Sequence, residues 1–269
     1  MEDPLTGDLV VKQLPVLPRN SHVNVLSSIV LQNGTIYLTG AKRCYQLESG
    51  IWKEHSFLNE YRDSHSTVTT NSGTFLFGGR YSRNTYEYLP KNSTTWLMGK
   101  TKIPNGFEKG CAIAVKSDTE IWLIGGLKTE KRVLSFNVND HTFQVLDFQL
   151  NKGRRGHACI IIPNTKKLLI TGGVDGAANP LKWSEIINID EETITMASPM
   201  NSRRSNHGMG FVTINNQERL VIFGGQEYHI VPYYSIQIRK PSTIEIYNTK
   251  TEQWETSCIK LNKPRADFD

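Results

Sequence analysis

The chain has no long hydrophobic run. Nothing in it approaches the ~20 consecutive apolar residues that a membrane-crossing helix requires, so no membrane span is expected. Its first residues, MEDPLTGDLVV, have neither a basic n-region nor an apolar h-region. No signal peptide is therefore expected, which makes the expectation a cytoplasmic protein, or an extracellular one if the chain is a fragment. Cysteine is sparse: Cys44, Cys111, Cys159 and Cys258 are the four in 269 residues. No two have C-x-x-C spacing, so no zinc site is expected, and buried free thiols are favoured over bridges. Strong charge is missing too. A net charge of +5 is compatible with an acidic partner but falls short of the dense basic stripes of a nucleic-acid binder. No HExxH, GxSxG or P-loop pattern occurs, so no catalytic residue, metal ligand or cofactor is assigned.

What the chain does contain is a repeated hairpin. In RRGHACIIIPNTKKLLITGG (154–173), Ala158 to Ile162 is an apolar, β-branched run, Pro163-Asn164-Thr165 is a turn, and Leu168 to Thr171 is a second apolar run. Two glycines follow, marking a backbone that needs positive φ or has a close neighbour. The same ending recurs at Gly78-Gly79, Gly125-Gly126, Gly172-Gly173 and Gly224-Gly225, with a degenerate Gly40-Ala41 before them. Arg-x-x-His precedes most copies: Arg19/His22, Arg62/His65, Arg154/His157 and Arg204/His207. An aromatic or apolar residue opens the last strand of each unit: Trp52, Trp96, Phe143, Ile194 and Trp254. A period of roughly 40–50 residues with these marks predicts a propeller, one four-stranded sheet per repeat.

The pattern Arg-x-x-His, apolar strand, Gly-Gly, then an apolar strand carrying Glu or Tyr (Glu87-Tyr88, Glu185, Glu245-Tyr247), then Trp resembles the kelch repeat. The resemblance covers about residues 8 to 265 and implies an all-β, kelch-type β-propeller, a fold mostly used for protein recognition. The predicted repeats are 19–61, 62–106, 107–153, 154–203 and 204–264. Residues 8–14 read as an orphan outer strand and 265–269 as the opening of a truncated sixth repeat; a five-bladed ring with short overhangs is the alternative. The whole forms one domain.

In such a blade the second-to-third connections share one end with the Arg-x-x-His segments, and the loops at that end hold most of the basic residues. The repeat arginines read as braces between blades, and the repeated histidines as architecture. The loop residues Arg80, Arg83, Lys128, Arg132 and Arg239, with Tyr228, Tyr233 and Tyr234 of the longest loop, read as a binding rim, because loops on a rigid scaffold carry recognition and Tyr and Arg are favoured anchors. The functional expectation is a non-catalytic scaffold presenting this rim to an acidic segment of a protein partner. No BTB domain, the mark of a ubiquitin-ligase adaptor, is present. The alternative is a kelch-fold small-molecule enzyme, of the sugar oxidase or mutarotase type, acting at the channel mouth. A copper radical oxidase of this fold needs two Tyr, two His and a Cys–Tyr crosslink, a set not assignable here. Two sequons, Asn33-Gly-Thr35 and Asn92-Ser-Thr94, are expected on turns away from the rim.

Overall fold

A computed structural model describes residues 28–32, 35–107, 110–128, 130–214, 217–231 and 235–261. The described residues fall into two compact units, 28–147 and 148–261. Every regular element among them is a β-strand.

In the first unit, β1 (Ser28–Gln32), β2 (Thr35–Glu48) and β3 (Ile51–Arg62) form a three-stranded sheet with β2 central. The second sheet is β4 (Ser66–Thr70), β5 (Gly73–Phe77), β6 (Tyr86–Pro90) and β7 (Leu97–Met98), in sequential antiparallel order. The third repeats that order with β8 (Ala112–Ser117), β9 (Glu120–Ile124), β10 (Arg132–Asn137) and β11 (Phe143–Gln149). The second unit holds a fourth sheet, β12 (Ala158–Ile161), β13 (Lys167–Thr171), β14 (Ser184–Asn188) and β15 (Thr193–Ala197). Its fifth sheet begins with β16 (Gly208–Ile214) and β17 (Gln217–Phe223). A separate ribbon follows, β18 (Glu227–Val231) paired with β19 (Ser235–Arg239), before β20 (Thr243–Asn248) and β21 (Gln253–Lys260) complete the sheet.

Two features differ from the simplest reading of the repeats. In the first repeat the second and third strand positions are merged in the 14-residue β2, which passes through Gly40-Ala41 with register shifts on either side of Arg43. Only Lys42 and Arg43 separate the two apolar stretches there, too short a link for the reversal that the longer loops of other repeats achieve. In the fifth repeat, residues 226–240 neither form a plain loop nor lengthen β17 and β20. Gly224-Gly225 still ends β17, and the inserted residues pair with each other.

The inner strands are continuous apolar runs because both faces are covered: Ile121, Trp122, Leu123 and Ile124 of β9 are fully buried, as are Leu168, Leu169 and Ile170 of β13. Between the second and third sheets an aromatic core forms from Phe75, Phe77, Tyr86, Phe107 and Phe136, with Phe143 packed against it. Between the fourth and fifth sheets the core is aliphatic, Leu169, Ile186, Leu220 and Ile222, and is closed by Tyr247 and Trp254. The repeat tryptophans Trp52, Trp96 and Trp254 are all buried.

The diglycines sit where the next sheet's lead-in crosses. Gly78 has φ +64°, and a Cβ there would lie 1.9 Å from the Phe107 carbonyl oxygen, while the Gly79 N–H donates to that same oxygen at 3.2 Å. Gly172 and Gly173 repeat the arrangement around the Arg204 carbonyl, at 2.4 Å from the added Cβ and 2.8 Å from the Gly173 nitrogen. Side chains are excluded by a neighbouring backbone as well as by φ. None of the four cysteines is in a disulfide, and Cys258 is exposed and Cys159 partly exposed where burial was expected.

Candidate functional site

Within each four-stranded sheet the β5–β6 type connection lies at one end, with the segment leading into the first strand. The first-to-second and third-to-fourth turns lie at the other. The segments leading into the second, fourth and fifth sheets share Asn-x-x-Arg-x-x-His: Asn59–His65, Asn151–His157 and Asn201–His207.

Each arginine of this motif is fully buried against a fully buried glutamate on the third strand of its sheet. Arg62 donates from Nε to Glu87 Oε1 at 2.9 Å, and Arg204 from Nε and Nη2 to Glu245 Oε1 at 3.2 and 3.1 Å; Arg154 pairs likewise with Glu185. The first glycine of each diglycine offers its carbonyl to the same guanidinium, at 2.8 Å (Gly78), 2.9 Å (Gly172) and 2.8 Å (Gly224). The glutamate's remaining capacity is filled by two backbone N–H groups of the lead-in: Asn59 and Glu60, Asn151 and Lys152, Asn201 and Ser202. Charges removed from water are tolerated only with such complete pairing. These arginines are therefore bound up in holding lead-in, diglycine and third strand together.

The histidines serve the same architecture. His65 Nε2 lies 2.7 Å from Thr39 Oγ1 and His207 Nε2 lies 2.8 Å from Thr171 Oγ1, each threonine directly preceding the Gly-Ala or Gly-Gly pair. Burial, and then the nearby Arg62 or Arg204 charge, pushes each imidazole down to about 3, so both are neutral.

The third repeat breaks the pattern in sequence, with Phe107 at the arginine position and Leu134 at the glutamate position. Arg132 stands two residues before Leu134 and donates to the Asn105 side-chain oxygen at 2.7 and 3.1 Å once that amide is oriented to receive it. Arg132, expected on the rim, thus has a partner at the sheet's own lead-in.

Positions where the repeats disagree are free for function, and one group of them is exposed together. Tyr61 lies beside the buried Arg62, where other repeats have Gly153 or Arg203. Tyr81 is in the β5–β6 loop. Their rings meet edge to face, 5.2 Å apart at 81°, yet Tyr61 is 48% and Tyr81 63% exposed. The Arg80 guanidinium sits 5.5 Å from the Tyr81 ring centroid. The Ser82 hydroxyl donates to the Tyr61 carbonyl at 3.1 Å, clamping loop to lead-in. Next to Tyr61, the half-buried Glu60 accepts from Thr85 Oγ1 and pairs with Arg62 Nη2 at 3.1 Å. Desolvation opposes ionisation of Glu60, but hydrogen bonds from Thr85 and Ser82, then the charges of Arg62 and Lys102, outweigh it and hold the carboxyl below its usual range. Glu60 is thus an ionised carboxylate next in the chain to Tyr61, whose ring meets the exposed Tyr81 ring that Arg80 covers.

Of the rim residues expected from sequence, Arg80 and Arg83 share this loop, and both are exposed. Lys128 is exposed in the third sheet's loop, its N–H donating to Glu130. Arg239 is exposed at the end of β19, in register with Glu227, in the other unit. Tyr228 belongs to β18, and Tyr233 and Tyr234 lie outside the described residues. Glu60, Tyr61 and Tyr81 are absent from the expected rim. The signal that finds them is disagreement between repeats inside the Asn-x-x-Arg segment.

No family model and no curated protein matches this chain in sequence. Solved structures do match in fold. One, described as the structure of YjhT, aligns with a TM-score of 0.77 over 93% of this chain and 88% of its own, at 14% identity. Another is a fungal alcohol oxidase of the AA5 family in complex with copper, with a TM-score of 0.69, 15% identity, and 88% of this chain covering 53% of the oxidase. The fold is an all-β, kelch-type β-propeller. The same comparison corrects the expectation of a non-catalytic, protein-binding scaffold, because the solved structures that share this fold include an alcohol oxidase.

The oxidase's copper provides a test of fit. Among the described residues no three His, Cys, Asp or Glu side chains converge as a metal site. His65 and His207 direct Nε2 at threonines, and His141 places Nδ1 3.1 Å from the Tyr86 hydroxyl within the aromatic core. Burial pushes the Cys44 thiol up to about 11, where it is protonated and a poor ligand. These residues do not fit a copper centre.

Proposed function

We propose that the repeats are kelch repeats and that the chain is a small-molecule enzyme of the carbohydrate-acting, non-redox kind, working at the loop end of the second sheet. The observation that carries this reading is the exposed trio of Tyr61, Tyr81 and Arg80, with the half-buried Glu60 next to Tyr61 in the chain, on a scaffold whose repeat arginines are engaged. Phenol rings offer flat apolar faces to the C–H side of a sugar ring, and a carboxylate and a guanidinium offer acceptor and donor to its hydroxyls. Re-equilibrating the anomers of a pyranose needs no oxidant. The anomeric hydroxyl gives up a proton, the ring oxygen gains one, and the C–O bond opens and recloses. In this reading Glu60, ionised at neutral pH, accepts the anomeric hydroxyl's hydrogen bond and receives its proton. Arg80 supports the negative charge that develops on the ring oxygen as the ring opens, and water supplies that oxygen's proton.

The test is anomer exchange measured by NMR on a panel of neutral, amino and acidic monosaccharides, with the wild type, Glu60→Gln and Tyr81→Ala. The expected result is exchange faster than in buffer for at least one sugar, lost in both variants at unchanged melting temperature. Exchange at the buffer rate across the panel, with no line broadening of any sugar, would overturn the reading.

A further inference from the structure

At the opposite end of the second sheet, the link between β6 and β7 carries a group that the fold does not use. Pro90-Lys91-Asn92-Ser93 is a tight turn closed by the Ser93 N–H donating to the Pro90 carbonyl at 3.0 Å. Lys91 N–H ties it to the neighbouring β4–β5 turn through the Ser72 carbonyl at 2.9 Å. Asn92 occupies the third turn position with φ +63°, a conformation for which Asn is favoured and Gly serves equally. Ser93 completes the local bonding: its Oγ accepts the Thr95 N–H at 3.1 Å. The turn therefore accounts for the backbone of Asn92 and for the hydroxyl of Ser93. It makes no use of Thr94, which is exposed, as Asn92 is.

What remains unexplained by folding is an exposed asparagine at a turn tip with a hydroxyl residue two positions on. That is the acceptor chemistry of N-linked glycosylation, in which the hydroxyl residue is required by the transferase and not by the acceptor's fold. We propose that Asn92 is an acceptor site for an N-linked glycan. The second-sheet topology makes the modification compatible with function. The β6–β7 turn is at the end opposite the β5–β6 loop bearing Arg80 and Tyr81, so a glycan on Asn92 leaves the exposed tyrosine pair uncovered. This inference is independent of the carbohydrate-acting reading; it concerns a covalent glycan on the other end of the sheet.

The experiment is expression of the full chain behind a cleavable signal sequence in eukaryotic cells, with Asn33→Gln introduced so that Asn92-Ser-Thr94 is the remaining sequon. Translation into microsomes provides the same readout if secretion is poor. The expected product carries one glycan, removed by peptide-N-glycosidase with conversion of residue 92 to Asp in the mass spectrum. Thr94→Ser should keep the glycan, while Thr94→Ala and Asn92→Gly, which suits the positive φ, should lose it at an unchanged melting temperature. An unmodified Asn92 peptide from folded, translocated protein overturns the proposal. So does a sugar mass that resists the glycosidase, which would place it on a hydroxyl instead.

Discussion

The buried Arg204–Glu245 pair gives the sharpest test of how the repeats are held. Glu245 Oε1 receives Arg204 Nε at 3.2 Å, Arg204 Nη2 at 3.1 Å and the Ser202 N–H at 3.0 Å, while Oε2 receives the Asn201 N–H at 2.6 Å. Glu245→Gln preserves volume but removes the charge and turns one oxygen into a donor. Whichever way the new amide points, its NH2 faces at least one N–H, and Arg204 is left as a buried charge without a counterion. Breaking a fully buried pair in this way costs about 3–5 kcal/mol. For a chain of this size that corresponds to a fall of roughly 6–20 °C in Tm. The surface pair Arg43–Glu54, with both side chains 37% exposed, is the internal control. Glu54→Gln should cost under about 1 kcal/mol. Equilibrium denaturation followed by tryptophan fluorescence reports on the same sheet, because Trp254 packs against Tyr247 beside Glu245. In a double-mutant cycle, Arg204→Met with Glu245→Met should cost at least ~1 kcal/mol less than the two single losses added together. If Glu245→Gln is no worse than Glu54→Gln, or the cycle is additive, the pair is not what fastens the lead-in to the sheet.

Three further outcomes follow from the same geometry. Gly172→Ala puts a Cβ 2.4 Å from the Arg204 carbonyl at φ +60° and should destabilise by several kcal/mol, whereas Gly176→Ala, with nothing within 4 Å, should be within about 0.5 kcal/mol of wild type; parallel urea melts decide it. Because His65 and His207 are held neutral down to about 3 in the fold but protonate near 6.5 when unfolded, the folded state binds fewer protons between those values, so stability falls as pH drops through that window. Going from pH 7 to pH 5 should cost about 2 kcal/mol per histidine, and His207→Gln should flatten the dependence measured by denaturation at the two pH values. Tyr61→Ala and Tyr81→Ala, at exposed positions, should leave the unfolding midpoint within about 0.5 kcal/mol of wild type; a larger loss would mean that the pair is structural.

Much of the fold is legible along the chain because propeller strands carry local signals. Apolar runs such as IWLIGG end where a diglycine allows positive φ, and the run, the turn and the glycines all lie within a dozen residues. The recurring Arg and the recurring Glu are legible as well. Their pairing is not, because it joins positions 25, 31 and 41 residues apart, and nothing in the local pattern states that distance. The expected rim fails for the same reason. Arg132 has the composition of a rim residue, but an asparagine of its own lead-in takes it up. Tyr61, adjacent to a residue that is wholly buried, is nearly half exposed because the arginine turns inward to Glu87 and its neighbour must turn outward.

By itself, then, the sequence determines the strands, their grouping into repeats and the close backbone crossings at the diglycines, since each depends on local conformation and periodic burial. Only the tertiary structure decides which charged groups are spent. A guanidinium surrounded by a carboxylate and carbonyls is no longer available to a ligand, whereas Arg80, two residues beyond Gly78, is exposed and lies over an exposed ring. That distinction rests on what lies within hydrogen-bonding reach in space, a quantity set by how the sheets pack and not by the order of residues along the chain.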